Sequence, residues 1–159
     1  MRKGLFGLPL YEVAVLAVIA AVIIGVLAER ADSLLERAEK TAVDTAVMNM
    51  RSGLRLEMAR RIVAGERLRD LAGTNPLSFL EAPPVGHIPA NLPDLAKTVK
   101  SGLWQYKSDE NALYYVPQRR RHLKMQQGNV DKTLVWQVLP STSDGEQVEV
   151  VLMTPYWWF

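Results

Sequence analysis

Hydrophobic and polar positions divide the chain into three stretches with different patterns. From Val13 to Ala28 the run VAVLAVIAAVIIGVLA is apolar throughout. Extended back to Leu8 it becomes 21 residues with one carboxylate, Glu12. A bilayer core of about 30 Å needs about 20 helical residues, so this stretch is long enough to span one. From Glu29 to Ala72 charged residues alternate with Val47, Met50, Leu54, Met58, Ile62, Gly65, Leu68 and Ala72 at steps of three and four. That spacing marks one face of a helix. Glu36–Lys40 and Glu57–Arg61 stand at i,i+4 in the favourable orientation. No proline falls between Pro9 and Pro76. The pattern therefore predicts one helix from about residue 10 to residue 72, with Gly73 as its C-cap and Asn75-Pro76 as a stop.

The third stretch begins at Thr74. Five of the nine prolines lie from Pro76 to Pro93, which predicts an irregular connection. Pro93 to Lys100 has room for one or two helical turns. Runs rich in Val, Tyr and Trp follow at Leu103–Lys107, Asn111–Pro117, Thr133–Leu139 and Gln147–Thr154. Ser108-Asp109-Glu110 and Ser141–Gly145 read as turns between them. The expected product is an α+β, lollipop-shaped protein. A long N-terminal helix, membrane-embedded in its first half, packs in its second half on an antiparallel sheet of about four strands.

Composition sharpens this picture. The 159 residues include no cysteine, which excludes disulfides, cysteine-ligated zinc, iron–sulfur clusters and a cysteine nucleophile. The net charge of +2 comes entirely from Arg2 and Lys3. Residues 8–72 carry nine bases and nine acids, and residues 73–159 carry eight of each. A basic tag at the end of the chain reads as an address, not as a binding face. Residues 29–49 carry three bases and five acids, so the positive-inside rule puts the N-terminus in the cytoplasm and the rest outside. The expected divisions are a basic leader (1–7), a transmembrane part of the helix (8–28), an extramembrane part (29–73) and a strand-rich head (74–159).

Glu12 is the most informative residue. A charge inside a bilayer costs at least ~3 kcal/mol, so such groups have partners or snorkel to the interface. Its setting, Gly7-Leu8-Pro9-Leu10-Tyr11-Glu12, follows a basic leader and precedes an apolar helix. This resembles the processing site of type IV prepilins and type II secretion pseudopilins. The resemblance implies cleavage after Gly7 by a prepilin peptidase and N-methylation of the new first residue, Leu8. It also implies that Glu12, fifth in the mature chain, pairs with the N-terminal amine of a neighbouring subunit. The mature chain would have 152 residues and no net side-chain charge. Its partners would be other pilin-like subunits, the peptidase and the inner membrane. The helix would sit single-pass with its N-terminus cytoplasmic and its head periplasmic, and would pass into a filament.

Some positions depart from major pilins. Leu8 stands where phenylalanine is usual, and Pro9 where threonine is common. Glu29 occupies the place of a helix-bending proline, and a C-terminal disulfide loop is impossible. These departures point to a minor pilin or pseudopilin. Gly102–Tyr106 and Leu113-Tyr114-Tyr115 also resemble a strand pair of some minor pilin heads.

Two other readings of the N-terminus compete. A secretory signal cleaved near Val26-Leu27-Ala28 conflicts with Glu12 and Pro9 inside its apolar core. An uncleaved single-span anchor carrying a periplasmic interaction domain needs no processing. As a coiled-coil stalk, however, it lacks a sustained heptad. In the head, Arg119-Arg120-Arg121-His122 and Lys124 form the densest basic run. A solvated strand edge or turn is preferred there over a grip on DNA phosphates, and nucleic acid is not expected as a partner. Tyr156-Trp157-Trp158-Phe159 is expected to finish the last strand and cover the core, with an interaction tip as the other reading. Asp109, Glu110 and Asn111, or Ser141–Gly145, offer oxygen ligands without EF-hand spacing, so turns are preferred over a calcium site. His87 and His122 have no partner at metal-ligand spacing, and no P-loop, nucleophile elbow or dinucleotide motif appears. No enzyme, metal or cofactor is expected.

Overall fold

The structure is a computed structural model that describes residues 10–88, 100–126, 132–141 and 147–159. One α-helix, α1, runs without a break from Leu10 to Ala64. It contributes to two compact units, residues up to Ala38 and Glu39–Phe159, each described by itself.

In the first unit the helix is bare. Its side chains from Val13 to Asp32 are all exposed. Tyr11–Ala64 is a helix long and apolar enough to cross a membrane, its apolar window lying near the N-terminus and uncovered by protein. Towards the unit's end Glu36 is 2% exposed.

In the second unit α1 packs on an antiparallel sheet, the α+β layout that the pattern predicts. Strands β1 (Trp104–Lys107), β2 (Ala112–Tyr115), β4 (Leu134–Pro140) and β5 (Val148–Leu152) form one sheet in the order β1-β2-β4-β5. Strands β3 (Leu123–Met125) and β6 (Tyr156–Trp158) form a second, two-stranded one. Every strand pair is antiparallel, with Tyr106 opposite Leu113, Leu113 opposite Trp136, Val138 opposite Val150 and Leu123 opposite Trp158. Alternation chooses the inner face. On β4 Leu134, Trp136 and Val138 are buried between half-buried neighbours, and on β5 Val148 and Val150 flank the exposed Glu149. Val43, Ala46, Val47, Met50 and Leu54 of α1 join these side chains in the core. Trp104 lies with its ring 4.6 Å from Tyr115 and 5.4 Å from Trp136.

The helix ends eight residues before the predicted boundary. Gly65 has φ +70, and beyond it Glu66 donates its N–H to the Arg61 carbonyl at 2.9 Å. This is a left-handed C-cap, a conformation that glycine adopts without a Cβ penalty. Gly65 therefore terminates the stripe instead of belonging to it. Leu68 and Leu71 sit in a 3-10 turn, Leu68–Leu71, with Leu71 buried. Ile62, expected on the core face, is exposed. Gly73, also left-handed at φ +73, donates its N–H to the Val138 carbonyl at 2.9 Å and so ties the turn to β4. A second 3-10 turn, Pro76–Phe79, opens with Asn75 accepting from the Leu77 N–H. The expected helical turns over Pro93–Lys100 lie almost wholly outside the described residues, as do positions 142–146 of the Ser141–Gly145 turn.

Candidate functional site

Gly7 and Leu8, the expected processing position, lie outside the described residues. Glu12 is described in the first helical turn of α1. Its Oε1 accepts from the hydroxyl of Tyr11 at 3.1 Å. An acid there is favourably placed relative to the partial positive charge of the helix N-terminus. Beyond it Val15, Leu16, Val18, Ile19, Val22, Ile23, Ile24, Val26 and Leu27 all project outward. The expected site is thus a carboxylate at the foot of a wholly uncovered apolar rod.

A second glutamate on the same helix behaves differently. Glu39 Oε1 accepts from the Tyr115 hydroxyl at 2.9 Å and the Gln118 N–H at 2.6 Å, and Oε2 accepts from the Arg119 N–H at 3.0 Å. One side chain thereby holds the segment that leaves β2. Burial, aided by Glu39, pushes the Tyr115 phenol well above its ordinary pKa. Five residues further along, Asp44 binds Lys40 at 2.6 Å. Burial together with Asp44 raises the Tyr156 phenol to about 12.

The basic run divides. Arg119 donates its backbone N–H to Glu39, Lys124 lies on β3 opposite the exposed Trp157, and His122 stacks on Phe159 at 4.9 Å. In the aromatic tail Trp158 is buried and Tyr156 packs against the core, whereas Trp157 is 66% exposed. The tail therefore closes the core and also leaves two rings exposed, Trp157 and, stacked on His122, Phe159. At Ser108–Asn111 the chain forms a turn, with Asn111 at φ 49. Glu110 accepts from Lys107 at 3.1 Å and from the Tyr114 hydroxyl. These two bonds hold the Glu110 carboxyl below its ordinary range, while burial and Glu110 push Tyr114 up to about 12. Among the described residues no three His, Cys, Asp or Glu side chains are grouped to hold a metal ion.

Pattern reading missed a groove between α1 and the outer edge of β5. It encloses about 420 Å³ and is lined by Arg51, Leu54, Arg55, Met58, Val148 and Val150, among others. The arginines of α1 were legible as polar positions, but their place beside an edge strand depends on tertiary packing.

No family model, curated protein or solved structure matches this chain.

Proposed function

We propose that this protein is a pilin-like structural subunit of a type IV pilus or type II secretion pseudopilus, with no enzymatic role. The observation that carries the reading is the bare apolar helix, headed by Glu12 and continuous with a helix packed on an antiparallel sheet. The leader MRKGLFG is removed after Gly7, and Leu8 becomes the N-methylated first residue. In the bilayer Glu12 meets the amine of a neighbouring subunit. A buried ion pair of this kind sets register, because breaking it leaves an uncompensated charge in hydrocarbon. The subunit waits in the inner membrane with its head in the periplasm and leaves the bilayer by packing its apolar helix against others.

Intact-mass measurement of protein extracted from membranes tests the processing step. Loss of residues 1–7, with or without one added methyl, supports the assignment. A chain beginning after Ala28 identifies a secreted protein, and an unprocessed chain identifies a single-span anchor with a periplasmic interaction domain.

A further inference from the structure

We propose that the groove between α1 and β5 binds an extended acidic peptide of another protein as an added β-strand. The inference rests on the head alone and does not need the assembly role of the N-terminal helix.

β5 stands at the edge of the four-stranded sheet, paired on one side with β4. Met153 donates its N–H to the Val135 carbonyl, and Gln147 accepts from the Ser141 N–H. Odd-numbered residues thus turn their backbone groups toward β4. In an antiparallel pair the intervening residues turn theirs away, so Val148, Val150 and Leu152 point their N–H and C=O groups outward. Such a row is a ready template for another strand. At one point it already holds a substitute donor. The Arg51 guanidinium lies 3.3 and 3.4 Å from the Val150 carbonyl, at the long end of hydrogen bonding.

The groove's floor and rim define what fits. Half-buried Met58 supplies apolar surface over the buried Leu54 and Val148, and the exposed Arg51 and Arg55 supply charge. Among the described residues the ion pairs of this part of α1 join Arg60 and Arg61 to Glu57 and Glu66, and Arg55 enters none of them. Among the described residues the groove's one carboxylate is Glu149, exposed between the inward-facing Val148 and Val150, so the pleat turns it to the sheet's other face. The spacing also agrees. Arg51 and Arg55 are one i,i+4 step apart, about 6 Å along the helix. Two residues of a strand advance about 6.8 Å. An added strand therefore places alternate side chains beneath the two arginines in turn, and carboxylates at those positions complement both. On binding, a peptide N–H takes the Val150 carbonyl, and the Arg51 guanidinium moves to a carboxylate, a stronger charge-assisted partner.

The test uses the full chain in detergent micelles and fluorescein-labelled Gly-Val-Glu-Val-Glu-Val-amide. Anisotropy should show saturable binding, weakened about tenfold or more when lysine replaces both glutamates, as expected for lost charge-assisted bonds. N-methylation of alternate peptide amides should abolish it. Arg55→Met, which breaks none of the ion pairs among the described residues, should weaken it about tenfold, and adding Arg51→Met should weaken it further. Hydrogen exchange should slow at the Val148 and Val150 amides when the peptide is present. Absence of binding, equal binding of the lysine peptide, or indifference to N-methylation overturns the proposal. So does protection of the same two amides by raising protein concentration without peptide, which gives the edge to a second copy.

Discussion

Two glutamates of one helix show how position decides what a carboxylate does. Glu12 accepts from a neighbouring phenol, whereas Glu39 accepts three hydrogen bonds, one from Tyr115 of β2 and two from the chain leaving that strand. Bonds to an ionised acceptor contribute more than neutral ones, and their loss leaves the half-buried Arg119 N–H without its acceptor. Glu39→Ala should therefore destabilise the head by about 2 to 3 kcal/mol, and Glu39→Gln by less, in urea denaturation of the detergent-solubilised protein. A variant as stable as the parent removes the anchoring role. The phenols add a pH dependence. Burial raises Tyr115 and Tyr156 above the ordinary value, with Glu39 and Asp44 adding to it. The folded state thus holds protons that the unfolded state releases. Their contribution is complete below pH ~10 and declines as pH rises toward the folded values. Stability should fall above pH 10, and Tyr156→Phe should flatten that decline up to about pH 12. Phenolate absorbance, followed alongside denaturation, checks both points.

At the scale of elements, two glycines of the same region make opposite demands. At Gly53, inside α1, an added Cβ would stand 2.1 Å from the Phe79 carbonyl oxygen. Alanine favours a helix by about 1 kcal/mol over glycine, but here it must displace the backbone of the second 3-10 turn. Gly53→Ala should be destabilising by about 1 to 3 kcal/mol, the usual cost of overpacking. At Gly65 an added Cβ meets open space, but φ is +70. Gly65→Ala should cost about 1 kcal/mol through backbone strain alone, and Gly65→Asn less. Thermal denaturation of the three variants separates crowding from conformation, and a stabilised Gly53→Ala protein contradicts the close approach. The same residues mark the limit of what the pattern could tell. The long helix and β1, β2, β4 and β5 were legible because each buries one face over enough residues for its period to register. Gly65 misled because a small residue on a stripe looks apolar, whereas its φ is set by the turn beyond it. Strands β3 and β6 were obscured because three residues are too few for alternation. One of them also borders a basic run, and the other sits among four consecutive aromatics. The Gly53 contact and the β5 groove bring together positions far apart in sequence, and no local pattern records that.

At the scale of the whole molecule, an apolar helix that only spans a bilayer and one that also assembles can be told apart by charge. The rod from Val13 to Ala28, whose side chains are uncovered, is the stretch long and apolar enough to hold the protein in a membrane. Ile19→Arg puts a cation near its centre, at an insertion cost of about 3 kcal/mol, and should shift protein out of the alkali-resistant membrane fraction. Glu12→Ala acts in the other direction, because it removes the one carboxylate of the stretch and makes insertion easier. If Glu12 serves only as an interfacial residue of an anchor, the alanine variant should match or exceed the parent in every respect. If it answers a neighbour's terminal amine, the variant should stay in the membrane, keep its processing, and yet lose the large sedimenting assemblies. Its head should unfold at the parent's urea concentration, since the core is built from residues beyond Ala38. Retention without assembly is a combination that neither a defective anchor nor a misfolded head produces. Normal sedimentation of Glu12→Ala from the native host would leave the carboxylate with no role in joining subunits.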